Sequence, residues 1–290
     1  MKTRKFSGEK AVVAIQNVKE KDYWLHKLSG HLTKNHFPYD FKNKPGISIE
    51  PFKFKFSGEL LARLMKVSSA ADHMLHMILT AAAALLLQKY TAVEDIIVGT
   101  SIYKQDIDFD MEFINTVLPL RNRINTQLTF KELLKQVRQT IVEAIENQNY
   151  PIEILAERLN LPSSHNDEFP LFDILILLEN IQDRKYIHHI KTNMVFSFSR
   201  QEECIKGVIQ YNSSCFREST IQRITAHLKE LLQNALSDGE KKLSRIEILS
   251  EQEKHQLLFE FNNTQSKYPA GQTIQRLFEE QVEKNPDSTA

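Results

Sequence analysis

Apolar and polar residues follow two different periods along this chain, and each period is typical of one kind of secondary structure. Residues 50–57 alternate phenylalanine with lysine, which predicts a strand with one buried face. Residues 129–150 instead place apolar side chains three or four positions apart behind Thr129, which predicts a capped helix. Near-continuous apolar runs such as residues 95–101 predict strands that are covered on both faces.

The whole pattern predicts an alternation of strands with long helices. Helices are predicted over residues 21–29, 60–66, 72–90, 129–150, 152–159, 220–235, 250–261 and 273–284, and strands over 50–57, 95–101, 117–123, 172–178, 192–198 and 205–211. This order favours a layered α/β fold over a helical bundle. The first twenty residues are rich in lysine and weakly patterned, so we expect an extended lead segment there.

Composition excludes several classes of protein. The 290 residues are 41% hydrophobic, which is enough for a sizeable core, and 37 basic residues balance 37 acidic ones. No net field therefore attracts nucleic acid or an anionic membrane. The most apolar run, residues 74–87, is too short to span a bilayer, and two cysteines make no disulfide framework. We expect a cytoplasmic protein that binds neither nucleic acid nor a membrane.

Candidate chemistry is concentrated in residues 113–121, where polar side chains interrupt an apolar strand. Asn115 and Arg121 stand among apolar neighbours such as Val117 and Leu118. A buried amide must find hydrogen bonds, and a buried guanidinium must find an acceptor or an anion. These two side chains are therefore the first candidates for a functional site.

The motif Asn115-Thr116-Val117-Leu118-Pro119-Leu120-Arg121 resembles the second-lobe signature of condensation domains in nonribosomal peptide synthetases. Other segments match the same half of that family in the same order. They are Tyr23-Trp24 with Leu28-Ser29-Gly30, Pro38 with Asp40, Leu79 to Tyr90, Glu94 to Thr100, Gln148 to Pro151, Pro170 to Asp173, Glu179-Asn180, and Tyr211-Asn212 with Phe216 and Thr220-Ile221. The resemblance covers most of the chain.

The resemblance implies a chloramphenicol-acetyltransferase-like α/β lobe, with a mixed sheet covered by helices. It divides the chain into a lead (1–20), the C-terminal lobe of a condensation domain (21–239), a linker (240–268) and the truncated start of an adenylation domain (269–290). The implied activity is amide-bond formation between aminoacyl or peptidyl thioesters. The implied partners are carrier proteins with phosphopantetheine arms, the adenylation domain and an N-terminal lobe; no cofactor is expected on this chain.

The catalytic motif of the family, HHxxxDG, does not occur in the sequence. His188-His189 lacks the aspartate and the glycine, and the string from His36 to Asp40 lacks the second histidine. We therefore assign no catalytic residue to this chain and expect it to be inactive alone. The pair His73 and His76 has helical spacing but no third ligand, so no metal site is predicted.

Two departures from the family pattern lie beside the signature: Met111-Glu112 replace a small residue, and Tyr103-Lys104-Gln105 replace a glycine-arginine pair. The resemblance places the signature strand at the interface between lobes, where the Asn115 amide would line the substrate tunnel. Alternatively, Asn115 and Arg121 satisfy a buried polar network that fixes the strand. The two interpretations are compatible.

Two other functions share these features: a non-catalytic docking module, or a lobe of an epimerisation or cyclisation relative. A lobe without its partner should leave the face around Phe113, Val117 and Leu118 uncovered. The predicted terminal helix likewise carries Ile274, Leu277 and Phe278. Contiguous apolar surface of this kind drives association. The sequence therefore predicts self-association.

Overall fold

The computed structural model describes residues 8–41, 46–104, 115–161, 168–264, 273–284 and 286. The strands are β1 (Ile49–Phe56), β2 (Asp95–Ser101), β3 (Val117–Arg123), β4 (Ile174–Leu178), β5 (Met194–Arg200) and β6 (Ile205–Asn212). The helices are α1 (Gly8–Gln16), α2 (Val18–Lys27), α3 (Gly58–Ser68), α4 (Asp72–Thr91), α5 (Phe130–Glu146), α6 (Ile152–Arg158), α7 (Glu218–Ser237), α8 (Glu251–His255), which continues as a π turn (Gln256–Glu260), and α9 (Ile274–Lys284).

The described strands form one mixed six-stranded sheet in the order β1-β6-β5-β4-β2-β3. Strands β2, β4 and β5 run parallel, and the pairs β1–β6, β5–β6 and β2–β3 are antiparallel. The predicted α/β lobe with a mixed sheet covered by helices is confirmed. Strand β3 lies at an edge of the sheet, and this position places the signature motif at a border of the lobe.

Helix α4 packs across the sheet and is apolar along almost its whole length. Residues 75–88 of α4 are buried, so this helix is surrounded by the strands and by α3, α5 and α7. Helix α5 begins with a capping box in which Thr129 and Glu132 satisfy each other's backbone N–H. On the opposite face, a Cβ at Gly99 would lie 2.4 Å from the Phe172 ring, so only glycine allows this contact.

Residues 31–41 form an extended segment that is bonded to several elements without being a strand. The Asn35 side-chain oxygen accepts a hydrogen bond from the Ile97 backbone N–H of β2 at 2.9 Å. Asp40 accepts from the Arg217 N–H at 2.8 Å and from the Thr220 hydroxyl at 3.0 Å, at the beginning of α7. A carboxylate at this position favours the helix because it complements the positive N-terminus.

A buried charge cluster fastens the same segment to the sheet. The Lys34 ammonium lies 2.7 Å from Glu168 and 3.2 Å from Asp173, whose side chain is 1% exposed. Asp173 also accepts hydrogen bonds from Tyr39 (3.0 Å) and Asn193 (2.9 Å). Burial raises the pKa of Asp173, and the charge of Lys34 offsets only part of that effect.

Two predictions from the sequence were wrong. The lead is not extended, because α1 begins at Gly8; Ala14 is buried and Lys10 pairs with Glu153 of α6 at 2.8 Å. The face around Val117 and Leu118 is not uncovered either, since these side chains are 0% and 1% exposed within the lobe itself. The Leu118 side chain points to the face of the sheet on which α5 packs against β3. Phe113 lies outside the described residues.

The chain divides into two compact units, residues 1–248 and 249–290. The sequence predicts that the lobe ends at Gly239, whereas residues 240–248 pack with the first unit. Leu243 and Ile246 are buried, and the Leu243 N–H donates to the Leu128 carbonyl at 2.8 Å. In the second unit, Ser250 and Glu253 form the capping box of α8.

No single helix among the described residues has the length and hydropathy needed to cross a bilayer. Helices α3 and α4 pass that test only as a pair, and their axes are bent by 115°.

Replacing Lys34 with methionine removes the cation from the buried cluster. We expect Lys34→Met to lower the free energy of unfolding by about 3 kcal/mol at neutral pH, because Asp173 becomes a buried carboxylate without its counter-charge. A carboxylate whose folded pKa lies above its unfolded value destabilises the fold at high pH, and this cost disappears as the pH falls and the group is protonated. The deficit of the variant should therefore shrink as the pH is lowered. Urea denaturation at several pH values measures the free energy of unfolding of the variant and of the unaltered protein.

The matched control is Lys53→Met on β1, where the lysine is exposed. We expect this change to stay within about 0.5 kcal/mol of the unaltered protein. Adding Asp173→Asn to Lys34→Met should recover part of the loss, since the buried charge is then gone. Equal stabilities of the two lysine variants would contradict the assignment of the cluster.

Candidate functional site

The predicted site residues lie at opposite ends of the edge strand β3. Asn115 precedes the strand by two residues and Arg121 lies near its end. Alternating residues share a face, so both side chains point to the same side of the sheet, roughly 20 Å apart along an extended backbone. They therefore cannot contact one small group together. Each is best understood through its own surroundings.

The Arg121 guanidinium is fully occupied by protein acceptors. Its Nε bonds both carboxylate oxygens of Asp95, at 2.9 and 3.1 Å, and one Nη2 hydrogen bond reaches the same group at 2.6 Å. The remaining N–H groups donate to the backbone carbonyls of Lys27 (3.2 Å), Ser29 (2.6 Å) and His31 (3.3 Å). A guanidinium has five donors, and all of them are used.

The arrangement makes Arg121 a clamp. It joins the end of α2 and the segment that follows to both strands of the β2–β3 pair. The hydrogen bonds and the charge of Asp95 raise the pKa of Arg121 above its already high usual value. No donor is left over for a substrate, so the structure supports the buried-network interpretation for this residue.

Asn115 differs from Arg121 because only the oxygen of its amide is bonded to another described residue. Its Oδ1 accepts the Val117 backbone N–H at 3.2 Å, which shapes the turn into β3. The residue is 6% exposed, and its Nδ2 is buried with no hydrogen-bond partner in the described part of the chain. A buried amide donor without an acceptor costs about 1–3 kcal/mol. Within the described residues, Asn115 thus presents a pair of N–H donors without an acceptor.

A histidine from a distant part of the sequence contacts Thr116, the residue that follows Asn115. The His189 Nε2 is 3.4 Å from the hydroxyl of Thr116, and the ring packs edge-on against His188. Burial lowers the pKa of His189, and the charge of Glu153 opposes that shift. A lowered pKa keeps the imidazole neutral at pH 7, so it can accept or donate one hydrogen bond.

Thr100 of β2 belongs to a hydrogen-bond network around His76, a fully buried histidine of α4. The Thr100 hydroxyl donates to the Ile176 carbonyl at 2.8 Å and accepts from Gln182 at 2.9 Å. The His76 Nε2, 2.9 Å from the same hydroxyl, must then be the protonated nitrogen. Burial lowers the pKa of His76 to about 4, which agrees with a neutral ring.

The sequence departures near the signature have partly structural explanations. The Tyr103 hydroxyl lies 3.4 Å from the His76 Nδ1, so the tyrosine completes the network on β2. The Lys104 ammonium donates to the Glu179 carbonyl. Gln105, Met111 and Glu112 lie outside the described residues.

The other strings considered in the sequence serve structural roles. His36 stacks on Tyr39 with ring centres 4.2 Å apart, while Asp40 caps α7, so they form no site with Asn115. His73 packs edge-on against Tyr103. The structure brings His189 to Thr116 over 73 residues of sequence, and no local motif could have revealed that contact.

Solved structures share this fold. The X-domain from teicoplanin biosynthesis superposes with a TM-score of 0.69 at 21% identity, covering 80% of this chain and 57% of that one. The holo form of AB3403, a four-domain nonribosomal peptide synthetase bound to AMP and glycine, gives a TM-score of 0.71 at 13% identity over 95% of this chain and 23% of its own. At such identities the likeness establishes the fold.

The family is established by the sequence itself. The model of the condensation domain matches residues 9–258, so this chain belongs to the condensation-domain family. Gramicidin S synthase 2 of Brevibacillus brevis is 36% identical over 293 aligned residues, and bacitracin synthase 3 of Bacillus licheniformis is 32% identical over 291. Each alignment covers 94% of this chain, but the chain spans only 6% and 4% of those proteins.

The clamp can be tested by a conservative change. We expect Arg121→Lys to lower the free energy of unfolding by about 2–4 kcal/mol, because an ammonium cannot reproduce the planar fork and leaves buried carbonyl oxygens unpaired. Chemical denaturation measures the loss.

Arg123→Lys, at the exposed end of the same strand, provides the control and should change stability by less than about 0.5 kcal/mol. If the two variants unfold at the same denaturant concentration, Arg121 is not the clamp described.

Proposed function

We propose that this chain is the C-terminal lobe of a condensation domain, followed by the linker and the first helix of an adenylation domain. The complete domain forms an amide bond between two carrier-bound thioesters. Membership of the condensation-domain family supports the activity class. The chain spans 57% of the teicoplanin X-domain structure, in agreement with a part of such a domain.

The reaction joins an acceptor amine to a donor acyl group. The amine nitrogen attacks the thioester carbonyl, the C–N bond forms, the C–S bond breaks, and the departing thiolate receives the proton that the amine loses. Negative charge develops on the carbonyl oxygen in the transition state. A pre-oriented N–H donor near that oxygen lowers the barrier because it needs no reorganisation.

Asn115 can supply such a donor from this lobe. The observation that carries the proposal is its buried Nδ2 without a partner among the described residues. We assign this N–H to an oxygen of a carrier-bound substrate, at the inter-lobe face of the domain. Arg121 contributes indirectly, since it fixes the strand from which Asn115 extends.

The carriers, the adenylation domain and the N-terminal lobe belong to the same proposal. Both substrates arrive on phosphopantetheine arms, so this chain needs no resident cofactor. The large synthetases that resemble it, such as gramicidin S synthase 2, support a multidomain setting. In the second unit, α9 (Ile274–Lys284) is then the first helix of the adenylation domain, and the residues before it belong to the linker.

This polypeptide alone should form no amide product between two loaded carrier proteins above the uncatalysed rate. The family's chemistry needs an imidazole within hydrogen-bond reach of the acceptor amine, and HHxxxDG is absent from the sequence. Mass spectrometry of the carriers after incubation measures the product. Efficient condensation by the chain alone would overturn the division into lobes.

Asn115→Ala in the complete domain should slow condensation roughly a hundredfold, because one donor to a developing oxyanion is lost. Asn122→Ala is the matched control. Asn122 is a buried asparagine of β3 whose Oδ1 accepts from Thr140 at 2.9 Å and whose Nδ2 is likewise unpaired among the described residues, but it points to the helical face. Single-turnover rates and melting temperatures are measured for both variants.

We expect Asn122→Ala to lower the melting temperature and keep the rate. Asn115→Ala should lower the rate and keep the melting temperature. A pair of variants that lose only stability would make Asn115 a structural residue.

A further inference from the structure

The end of strand β2 is held by a side-chain amide where its ladder with β4 stops. The last residue pair of that parallel ladder is Thr100–Ile176. One residue later, the carbonyl of Ser101, which is 1% exposed, accepts a hydrogen bond from the Gln182 Nε2. A buried carbonyl without a donor is costly. Gln182 therefore supplies the bond that a continuing strand would otherwise make.

The amide of Gln182 is bonded through both its nitrogen and its oxygen, in a side chain that is itself buried. Besides the Ser101 carbonyl, its Nε2 reaches the Thr100 hydroxyl at 2.9 Å, and its Oε1 accepts the Leu178 backbone N–H at 2.8 Å. An amide donates and accepts at once, which an apolar side chain of the same size cannot do. Gln182 thus joins the end of β4 to the end of β2 in one orientation.

Ser101 is also the residue that pairs with Val117 of β3. In the adjacent pair, the Ile102 N–H donates to the Thr116 carbonyl at 3.1 Å. Bonded and non-bonded pairs alternate along an antiparallel ladder. The Ser101 carbonyl and the Val117 N–H therefore point away from each other, and each needs a partner outside the β2–β3 pair.

Two side-chain amides supply those partners. Gln182 donates to the Ser101 carbonyl from the β4 side, and Asn115 accepts the Val117 N–H at 3.2 Å from the outer side. The orientation of the Asn115 amide thus depends on the position of Val117, which its pairing with Ser101 fixes. Gln182 holds that pair from the opposite side.

We propose that Gln182 is a positioning residue for the condensation reaction and that it acts through Asn115. This role rests on the proposed function, in which the Asn115 Nδ2 binds a substrate oxygen. Without the Gln182 amide, the Ser101 carbonyl loses its donor, so the end of β2 shifts and the turn that carries Asn115 shifts with it. A misplacement of about 1 Å can slow a reaction roughly a hundredfold. Gln182 itself makes no bond to the substrate.

Single-turnover rates of the complete domain test this role. Gln182→Met keeps the volume and removes the amide, and we expect it to slow condensation about tenfold. Added to Asn115→Ala, the same change should alter the rate by less than about twofold, because the donor that Gln182 positions is already gone. A further tenfold loss in the double variant would show that Gln182 acts independently of Asn115, and would reject the role.

The matched control is Asn35→Leu. The Asn35 Oδ1 accepts the Ile97 N–H at 2.9 Å, so a buried amide also holds β2 near its beginning. We expect Asn35→Leu to lower the melting temperature and to keep the condensation rate. Equal rates of the Gln182→Met and Asn35→Leu variants would contradict the positioning role.

Gln182→Glu provides a conservative rescue. The introduced carboxyl group can donate to the Ser101 carbonyl only when it is protonated, and burial favours the protonated form. At roughly pH 6 the variant should condense within about threefold of the unaltered domain at the same pH, and this ratio should worsen as the pH rises. A ratio that does not change with pH would count against the role.

Hydrogen exchange of the Val117 N–H separates the role of Gln182 from that of Asn115. In this chain, Gln182→Met should accelerate that exchange at least about tenfold, and Asn35→Leu should leave it unchanged. If the exchange accelerates but Asn115→Ala condenses normally, the proposed function fails and the coupling between the two amides stands. If Gln182→Met leaves the exchange unchanged, Gln182 does not position Asn115, whatever Asn115 does.

Discussion

The contact between Arg121 and Asp95 is the interaction on which the arrangement of this lobe depends. Among the described strands, β3 lies at the edge of the sheet and is hydrogen-bonded to β2 alone. Edge strands are prone to slip or fray unless other elements hold them. The guanidinium bonds a carboxylate from β2 and three carbonyl groups from residues 27–31. One side chain thereby fixes the edge of the sheet to the segment that crosses it.

The consequence appears at the other end of β3. A strand that is fixed in register presents Asn115 in one orientation, with its Oδ1 already bonded to the Val117 N–H. The Nδ2, which has no partner among the described residues, is consequently a pre-oriented donor, and a donor of that kind needs no rearrangement when charge develops nearby. Arg121 and Asn115 look alike in sequence as polar residues in an apolar strand. Their hydrogen bonds separate them: Arg121 is a clamp, and Asn115 carries an Nδ2 without a partner among the described residues.

Sequence patterns predicted most elements because each is encoded locally. The predicted ranges of β2 and β3, 95–101 and 117–123, match the structure, since apolar runs and their polar limits are visible in the sequence. The helix α1 was missed because it is stabilised by contacts with α6, such as Lys10 with Glu153, and not by its own weak pattern. The burial of Leu118 was missed because the prediction placed Val117 and Leu118 on one uncovered face. Neighbouring residues of a strand point to opposite faces, and the Leu118 side chain points toward α5.

The site shows the same division between local and long-range information. Asn115 was predicted from its polar character in an apolar run, and Asp95 lies close to Arg121 only through the antiparallel β2–β3 register. His189 reaches Thr116 across 73 residues, and Gln182 reaches Ser101 across 81. Such groupings depend on the tertiary fold. Periodicity describes one element at a time and therefore cannot report them.

The central proposal is that the Asn115 Nδ2, which has no partner among the described residues, binds a substrate oxygen. The most direct measurement is a crystal structure of the complete domain with a stable amide analogue of an acyl-pantetheine thioester. The account predicts that the Asn115 Nδ2 lies within about 3.2 Å of the acyl carbonyl oxygen. An Nδ2 that instead bonds a protein carbonyl, with the acyl group bound elsewhere, would contradict it.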